Sequence, residues 1–212
     1  MIKLIIFDLD GTLVDSSVDL TNALNYAIEP CSLEKLTVAQ TKGLVGEGIT
    51  KLLQNLLGPE RLSLHADILS RFMDYYSSHL IDHTTPYPGV TETLDSLRDY
   101  KKAVISNKYE ALSREVLQGL GLLQHFDAVL GSDSTGEKKP SPKPLLKVMQ
   151  MLSCAPWETV IIGDSNFDIE AGKAAGATTC AVTYGYRDVS FLKDADLMID
   201  MFSEIPGILT GR

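Results

Sequence analysis

Two aspartates near the start of the chain, Asp8 and Asp10, are the side chains best placed for catalysis. They follow the apolar run 4–7 (Leu-Ile-Ile-Phe), which is typical of a buried strand. Side chains at positions i and i+2 of a strand share one face, so the two carboxylates can face one small volume while Leu9 faces the other way. Neighbouring carboxylates ionise together only beside a cation or when they share a proton. We therefore expect the chemistry of this protein at the carboxyl end of the first strand.

Three further polar motifs follow in the order that one enzyme family shows. They are Ser106-Asn107, the segment 139–142 (Lys-Pro-Ser-Pro) and the segment 163–168 (Gly-Asp-Ser-Asn-Phe-Asp). With the segment 8–13 (Asp-Leu-Asp-Gly-Thr-Leu), they resemble the four motifs of the haloacid dehalogenase superfamily, whose members are mostly phosphatases. The resemblance runs from about residue 2 to about residue 200 and points to subfamily IA, the phosphoglycolate phosphatase-like branch.

Short apolar runs alternate with stretches of helical spacing, which predicts an α/β fold with a parallel sheet covered on both faces. The predicted strands are 4–7, 103–105, 128–130, 160–162 and 180–182. In such sheets ligands bind beyond the carboxyl ends of the strands, where Asp8, Ser106 and Asp164 fall. The resemblance implies the same fold, a doubly wound, Rossmann-like core.

Residues 16–84 break this alternation because they show helical patterns without convincing strands. They resemble the all-helical cap, of the C1 type, that is inserted after the first strand in this superfamily. We call them the helical insert, and the predicted catalytic core is then 1–15 together with 85–212. The prolines of segment 86–90 are expected to direct the chain back into the core, where a helix resumes at about Val90.

Family resemblance implies catalytic roles for three side chains. Asp8 is expected to be the nucleophile, which attacks phosphorus and forms an aspartyl-phosphate. Asp10 is expected to protonate the departing alcohol and later to accept a proton from the attacking water. Lys139 matches the family lysine that precedes Pro-x-Pro and would balance the charges of Asp8 and the phosphate; the nearby Lys143 is the alternative.

The same resemblance implies a Mg²⁺ site formed by Asp8, Asp10, Asp164 and Asp168. Asp8 and Asp164 would supply side-chain oxygens and Asp10 its backbone carbonyl, and Mg²⁺ prefers such oxygen ligands. Asp168 is expected one helical turn beyond Asp164, either as a further ligand or as a hydrogen-bond partner of the site. A simple acidic residue at a helix N-terminus is the alternative interpretation of Asp168.

Five residues are predicted to bind the substrate. Ser106 would donate a hydrogen bond to a phosphoryl oxygen, and Asn107 would help to orient the phosphate. Gly11 and Thr12 belong to the first motif, and the backbone N–H of Gly11 is a further candidate donor. Gly46 lies in a glycine-rich segment that resembles the substrate loop of phosphoglycolate phosphatase relatives, although an ordinary turn between helices also explains its glycines.

Composition limits the partners and the compartment. A net charge of −9 argues against a basic surface for nucleic acid or an anionic membrane. Three widely spaced cysteines favour a reducing compartment, and neither a signal peptide nor a membrane-spanning run is evident, so we expect a cytoplasmic protein. The expected partner is a small phosphorylated metabolite, and the expected assembly is a monomer or a homodimer.

These features predict a Mg²⁺-dependent phosphatase that acts on a small, phosphoglycolate-like metabolite. A phosphomutase resembling β-phosphoglucomutase is one alternative, but that group usually carries Glu-Asp-Ser where this chain has Gly163-Asp164-Ser165. A pyrophosphatase or nucleotidase of the same branch is another. From a different class, a receiver-type signalling domain also combines an acidic cluster with a doubly wound sheet, but it is a single domain of about 100–150 residues without a helical insert.

Overall fold

The computed structural model describes residues 1–31 and 33–210 of the chain. Its strands are β1 (Leu4–Phe7), β2 (Val14–Asp15), β3 (Thr85–Pro86), β4 (Lys101–Ile105), β5 (Ala128–Leu130), β6 (Thr159–Gly163), β7 (Thr178–Val182) and β8 (Leu197–Ile199). Its α-helices are α1 (Ser17–Ile28), α2 (Val38–Leu44), α3 (Ile49–Leu57), α4 (His65–Tyr76), α5 (Val90–Ser96), α6 (Glu110–Gly119), α7 (Lys143–Met151), α8 (Asn166–Ala175) and α9 (Ile205–Thr210).

Six strands form one parallel sheet in the order β5-β4-β1-β6-β7-β8. The strand β1 lies inside the sheet because all four of its residues are apolar and can be buried on both faces. From β1 the chain winds outward through β4 and β5, and it then returns to β6 on the other side of β1. The predicted doubly wound parallel sheet is therefore confirmed.

Helices cover both faces of this sheet, and the alternation of side chains along each strand explains why. In β1, Ile5 and Phe7 belong to one hydrophobic cluster together with residues of α5, α6 and α9. Their neighbours Leu4 and Ile6 belong to a second cluster together with residues of α7 and α8. Successive residues of a strand point to opposite faces, so one short apolar run holds two layers of helices in place.

The four helices α1 to α4 lie between β2 and β3, which pair antiparallel and bring the two ends of the helical insert together. Its apolar residues, such as Leu24 and Phe72, share the hydrophobic cluster that contains Phe7. The buried carboxylate of Asp19 accepts hydrogen bonds from the backbone N–H groups of His83 and Thr84 at the end of the insert. The boundaries 1–15, 16–84 and 85–212 remain a prediction.

Two sets of strands were missed by the sequence patterns. The edge strand β8 has only three residues, and the side chain of its middle residue, Met198, is exposed. The strands β2 and β3 have two residues each, which is too short for any periodicity. The predicted helix start at Val90 is confirmed. No helix within the described residues is both long and apolar enough to cross a membrane.

Candidate active site

The ends of three adjacent strands place the central residues of the site. The strands β4, β1 and β6 are neighbours in the sheet, with Phe7 opposite Val104 and Ile162. Asp8 follows β1, Ser106 follows β4, and Asp164 follows β6. Parallel strands end at the same edge of a sheet, so these polar residues are brought together although they are far apart in the chain.

Lys139 lies at the centre of the acidic group. Its side chain is 2% exposed, and its Nζ atom lies 2.9 Å from Oδ1 of Asp8 and 2.6 Å from Oδ1 of Asp168. Burial alone would lower the pKa of Lys139, but the two carboxylates raise it above its ordinary value, so the ammonium remains charged. The alternative, Lys143, is exposed and pairs with Glu137 outside the site.

Asp8, Asp164 and Asp168 form a group of acids that could hold a metal ion, since one ligand oxygen from each lies within 4.8 Å of the others. Burial raises the pKa of Asp8 to about 7, against the opposing effect of Lys139. Burial, together with the charges of Asp8 and Asp168, raises the pKa of Asp164 to about 8. Carboxylates that resist ionisation in this way fit a divalent cation, and their oxygens are the ligands that Mg²⁺ prefers.

The two oxygens of Asp168 already have partners within the protein. Oδ1 accepts from Lys139, and Oδ2 accepts from the backbone N–H and the hydroxyl of Ser165, at 3.2 and 2.6 Å. These bonds to Ser165 secure the start of α8, so the interpretation as a helix N-terminal acid also describes Asp168. Each oxygen of Asp168 thus has a protein partner. These contacts suit a role in orienting Lys139 beside Asp8 better than a role as a metal ligand.

Gly11 allows the first motif to approach Asp164 closely. A Cβ atom at this position would lie 2.3 Å from Oδ2 of Asp164, and the φ angle of Gly11 is 84°. Both facts require glycine, because L-residues rarely adopt this φ and no side-chain atom fits the gap. The same oxygen, Oδ2 of Asp164, also accepts a hydrogen bond from the backbone N–H of Tyr186 at 2.6 Å. Asp164 is thus fixed between two loops.

Lys108, which sequence patterns did not single out, contacts Asp10 directly. Its Nζ atom lies 2.7 Å from Oδ1 of Asp10 and 2.8 Å from the hydroxyl of Tyr76, and its side chain is 7% exposed. Burial would lower the pKa of Lys108, but Asp10 and Tyr76 raise it above its ordinary value. Oδ1 of Asp10 also accepts from the hydroxyl of Ser16. The only sequence signal for Lys108 is its place directly after Ser106-Asn107.

The predicted substrate-binding residues divide into two groups. Ser106, Asn107 and Gly46 line a cavity beside Asp8. Gly11 and Thr12 are not among the residues that line this cavity, so their contact with the substrate stays a prediction. The N–H of Gly11 donates to the carbonyl of Val14, and Thr12 is completely buried with a hydroxyl that has no partner among the described residues. These two residues shape the turn after β1 behind the cavity.

The cavity has a volume of about 60 Å³ and lies between the strand ends and the helical insert. Its wall on the sheet side is polar and its wall on the insert side is largely apolar. The polar side includes Asp8, Asp10, Ser106, Asn107, Lys108 and Asp164. The apolar side includes Leu20, Val45, Ile49, Leu52 and Phe72. A single water needs about 10–15 Å³, so this volume has room for a few water-sized groups.

Three core side chains hold the insert over this cavity, and we call them the clasp. Each comes from a different loop of the core and donates to backbone carbonyls in the segment 43–47 of the insert. The donors and acceptors are Arg187 to Gly43 and Val45 (both 2.8 Å), Asn107 to Gly46 (2.7 Å) and Lys138 to Glu47. The predicted substrate loop therefore contacts the core through its backbone.

Known proteins resemble this chain over nearly its whole length. Residues 5–182 match the family described as haloacid dehalogenase-like hydrolase. The phosphoglycolate phosphatase of Chromobacterium violaceum is 42% identical over 214 residues, which cover 96% of this chain and 95% of that protein. The phosphoglycolate phosphatase of Aquifex aeolicus is 38% identical over 186 residues, covering 87% and 86%. The crystal structure of a predicted phosphoglycolate phosphatase from Haemophilus somnus 129pt has a TM-score of 0.91 at 29% identity and covers 98% of both chains.

Proposed function

The chain belongs to the haloacid dehalogenase-like hydrolase family and is a phosphatase, and we propose that it hydrolyses a small phosphate monoester such as phosphoglycolate through an aspartyl-phosphate. The observation that carries this proposal is the contact of Lys139 with Asp8 beside Asp164, where the adjacent strands β1 and β6 end. The names of the similar proteins support the substrate class.

In the proposed mechanism, Asp8 attacks the phosphorus atom and the leaving alcohol departs on the opposite side. The side chain of Asp8 is 13% exposed, so it can reach a substrate in the cavity while Lys139 holds one of its oxygens. The fixed ammonium of Lys139 offsets the negative charge that nucleophile and phosphate bring together. Ser106 contributes a hydroxyl in the same cavity for a phosphoryl oxygen.

Asp10 is proposed as the general acid and base. It lies two residues after Asp8 and lines the same cavity, where it can protonate the leaving oxygen and later accept a proton from the water that cleaves the aspartyl-phosphate. Ser16 and Lys108 hold Oδ1 of Asp10, so the other oxygen, Oδ2, is the one proposed to exchange the proton.

Mg²⁺, held by the side chains of Asp8 and Asp164 and the backbone carbonyl of Asp10, would supply the positive charge that stabilises the phosphoryl oxygens during transfer. The raised pKa values of Asp8 and Asp164 support this ligand set, because both groups ionise readily only beside a cation. Asp168 is proposed to orient Lys139 in this site.

The helical insert, residues 16–84, is proposed to act as a cap that closes over the substrate. The apolar wall and the clasp support this role, since a closed cap excludes water and strengthens the charge interactions inside. The cavity volume of about 60 Å³ favours a small metabolite over a nucleotide.

An assay of phosphate release tests the proposal. The panel contains phosphoglycolate, a sugar phosphate, a nucleotide and pyrophosphate, each with Mg²⁺ and with EDTA. We expect Mg²⁺-dependent turnover that is fastest for phosphoglycolate, and a loss of about 10⁴-fold or more in the Asp8→Asn variant. The matched control, Asp99→Asn, changes an exposed aspartate and should keep full activity. Full activity of Asp8→Asn would refute the proposed nucleophile.

A further inference from the structure

Lys108 is a buried cation whose contacts do not use its full hydrogen-bonding capacity. It lines the cavity, and its ammonium contacts Oδ1 of Asp10 at 2.7 Å and the hydroxyl of Tyr76 at 2.8 Å. An ammonium has three N–H donors, so these two contacts leave one donor for a ligand. The cation also lies 5.2 Å from the centre of the Tyr76 ring, which keeps it at the boundary between core and insert.

The other cations that the described residues bring to this region are committed elsewhere. Lys139 bridges Asp8 and Asp168, at the phosphate end of the site. Arg187 donates through Nη1 and Nη2 to two carbonyls of the insert, and its buried Nε has no partner among the described residues; Lys138 donates to a third carbonyl. Lys108 differs from both because its ammonium contacts Asp10, so it is the cation best placed to meet a charged group on the leaving part of the substrate.

Its contact with Asp10 fixes where that charged group would lie. Asp10 is proposed to protonate the leaving oxygen, and Lys108 holds the same carboxylate. A substituent one or two carbon atoms from the leaving oxygen therefore falls near the ammonium. The insert side of the cavity is largely apolar, so a carboxylate there would lose its hydration without compensation unless a cation met it.

We propose that Lys108 is a specificity-determining residue, whose ammonium binds the carboxylate on the leaving group of a substrate such as phosphoglycolate. This inference rests on the proposed function, because it takes Asp10 as the acid that faces the leaving oxygen. Its physical basis is the charge-assisted hydrogen bond between the ammonium and the substrate carboxylate, which is stronger than a neutral one.

Two substrates of equal length isolate this contact. 2-Phosphoglycolate carries the carboxylate, whereas 2-hydroxyethyl phosphate carries an alcohol in its place. The measured quantity is the ratio of their kcat/KM values, with Mg²⁺, in the wild type and in Lys108→Met, Lys108→Arg and Lys147→Met. Lys147 is an exposed lysine on α7 and serves as the matched control. A role of Lys108 that acts only through Asp10 would lower both kcat/KM values equally and leave the ratio unchanged.

We expect the wild type and Lys147→Met to prefer phosphoglycolate, and Lys108→Met to lose about 10-fold or more of this preference. Lys108→Arg should retain part of it, because the charge remains. An unchanged ratio in Lys108→Met would overturn the proposal. Equal kcat/KM values of the wild type for the two substrates would also overturn it. This result does not depend on whether the variants fold.

Binding measurements separate a failure of this proposal from a failure of the proposed function. Calorimetry with the Asp8→Asn variant and Mg²⁺ gives the affinities for both compounds without turnover. If the wild type hydrolyses neither compound, the proposed function fails, but the carboxylate contact is still tested. Tighter binding of phosphoglycolate that disappears in the Asp8→Asn, Lys108→Met double variant supports the role of Lys108. Equal binding of the two compounds to Asp8→Asn overturns it.

Discussion

At the scale of single residues, the site is a network of charges in which each acid has a specific neighbour. Asp8 contacts Lys139, Lys139 contacts Asp168, and Asp10 contacts Lys108. The proposed nucleophile and the proposed acid thus pair with different lysines, although these aspartates are only two positions apart. Different neighbours give the two carboxylates different environments, and enzymes use such differences to assign distinct roles to similar groups.

The Asp10→Asn variant tests the acid and base role. We expect a fall of about 10²–10⁴-fold in steady-state turnover, because neither proton transfer is assisted. With acetyl phosphate the leaving acetate needs no proton, so the first step should survive. Rapid-quench measurements should then show a burst of acetate equal to the enzyme concentration, followed by slow turnover.

The exposed pair of His79 and Asp82 offers a control for this test. Asp82→Asn should show wild-type turnover with both substrates. If Asp10→Asn turned over phosphoglycolate at the wild-type rate, Asp10 would have no part in proton transfer.

Sequence reasoning located the residues that follow strands and missed those that depend on long-range packing. Asp8, Ser106 and Asp164 were predicted to lie together because parallel strands end at one edge. Lys108 and Tyr76 meet only because α4 of the insert packs against the loop after β4. No local pattern encodes such a contact between elements that are distant in the chain.

At the scale of elements, loops of the core shape the site from two directions. The turn after β1 needs Gly11 to approach Asp164, and the clasp attaches the segment 43–47 to the core. Five strands of the sheet, β1 and β4 to β7, were predictable from apolar periodicity, whereas these turns were not. The clasp donates to backbone carbonyls of the insert, and every residue type has such a carbonyl. No residue type in the segment 43–47 therefore marks the acceptors, and the sequence could not reveal the clasp.

The Gly11→Ala variant tests the turn. Its added Cβ atom would overlap Oδ2 of Asp164, so Asp164 or the turn must move. We expect the affinity for Mg²⁺, measured from the activation of turnover, to fall by about 10–100-fold, as for other changes that displace a ligand. Gly58→Ala is the control, since this glycine also has a positive φ but has open space around it. Unchanged Mg²⁺ activation in Gly11→Ala would contradict the proposed ligand role of Asp164.

The Arg187→Met variant tests the clasp. Two hydrogen bonds from a charged donor to the insert are lost, so we expect kcat/KM for phosphoglycolate to fall about tenfold or more. Backbone amides in the segment 43–48 should also exchange their hydrogens faster. Arg98→Met, which alters an exposed arginine, is the control. Wild-type values for both measurements would show that the clasp does not hold the insert closed.

At the scale of the whole molecule, one hydrophobic cluster runs from the sheet into the insert, and the acidic site lies at the junction of the two. The overall charge of −9 repels an anionic substrate, so the positive charges that attract this substrate must lie within the site. Lys139 and Lys108 supply them within the protein, and the proposed Mg²⁺ would add to them. The stability of the folded chain should therefore depend on the charge of the site.

The dependence of stability on pH follows from the raised pKa values of Asp8 and Asp164, about 7 and about 8 against an ordinary value of 3.8. At pH values between the ordinary and the raised pKa values, the folded state binds more protons than the unfolded state. Without metal, these groups therefore decrease the free energy of unfolding as pH rises from about 4 to about 8. Mg²⁺ binds the ionised carboxylates, so its stabilising effect should increase over the same range.

Thermal unfolding at about pH 5 and about pH 8, with EDTA and with Mg²⁺, checks this expectation. The increase in Tm on addition of Mg²⁺ should be larger at the higher pH and should be reduced in Asp164→Asn. A stabilisation by Mg²⁺ that is equal at both pH values, or that persists in this variant, would contradict the proposed site.

The most direct test of the central claim is to trap the phosphoryl group on Asp8. The Asp10→Asn variant is mixed with acetyl phosphate and Mg²⁺, quenched in acid, and reduced with borohydride, which converts an acyl phosphate to an alcohol. Mass spectrometry of the peptide that contains Asp8 should show homoserine at this position, and a sample without substrate should show aspartate. A burst of acetate with aspartate unchanged at position 8, or with the modification on another carboxylate, would contradict covalent catalysis by Asp8.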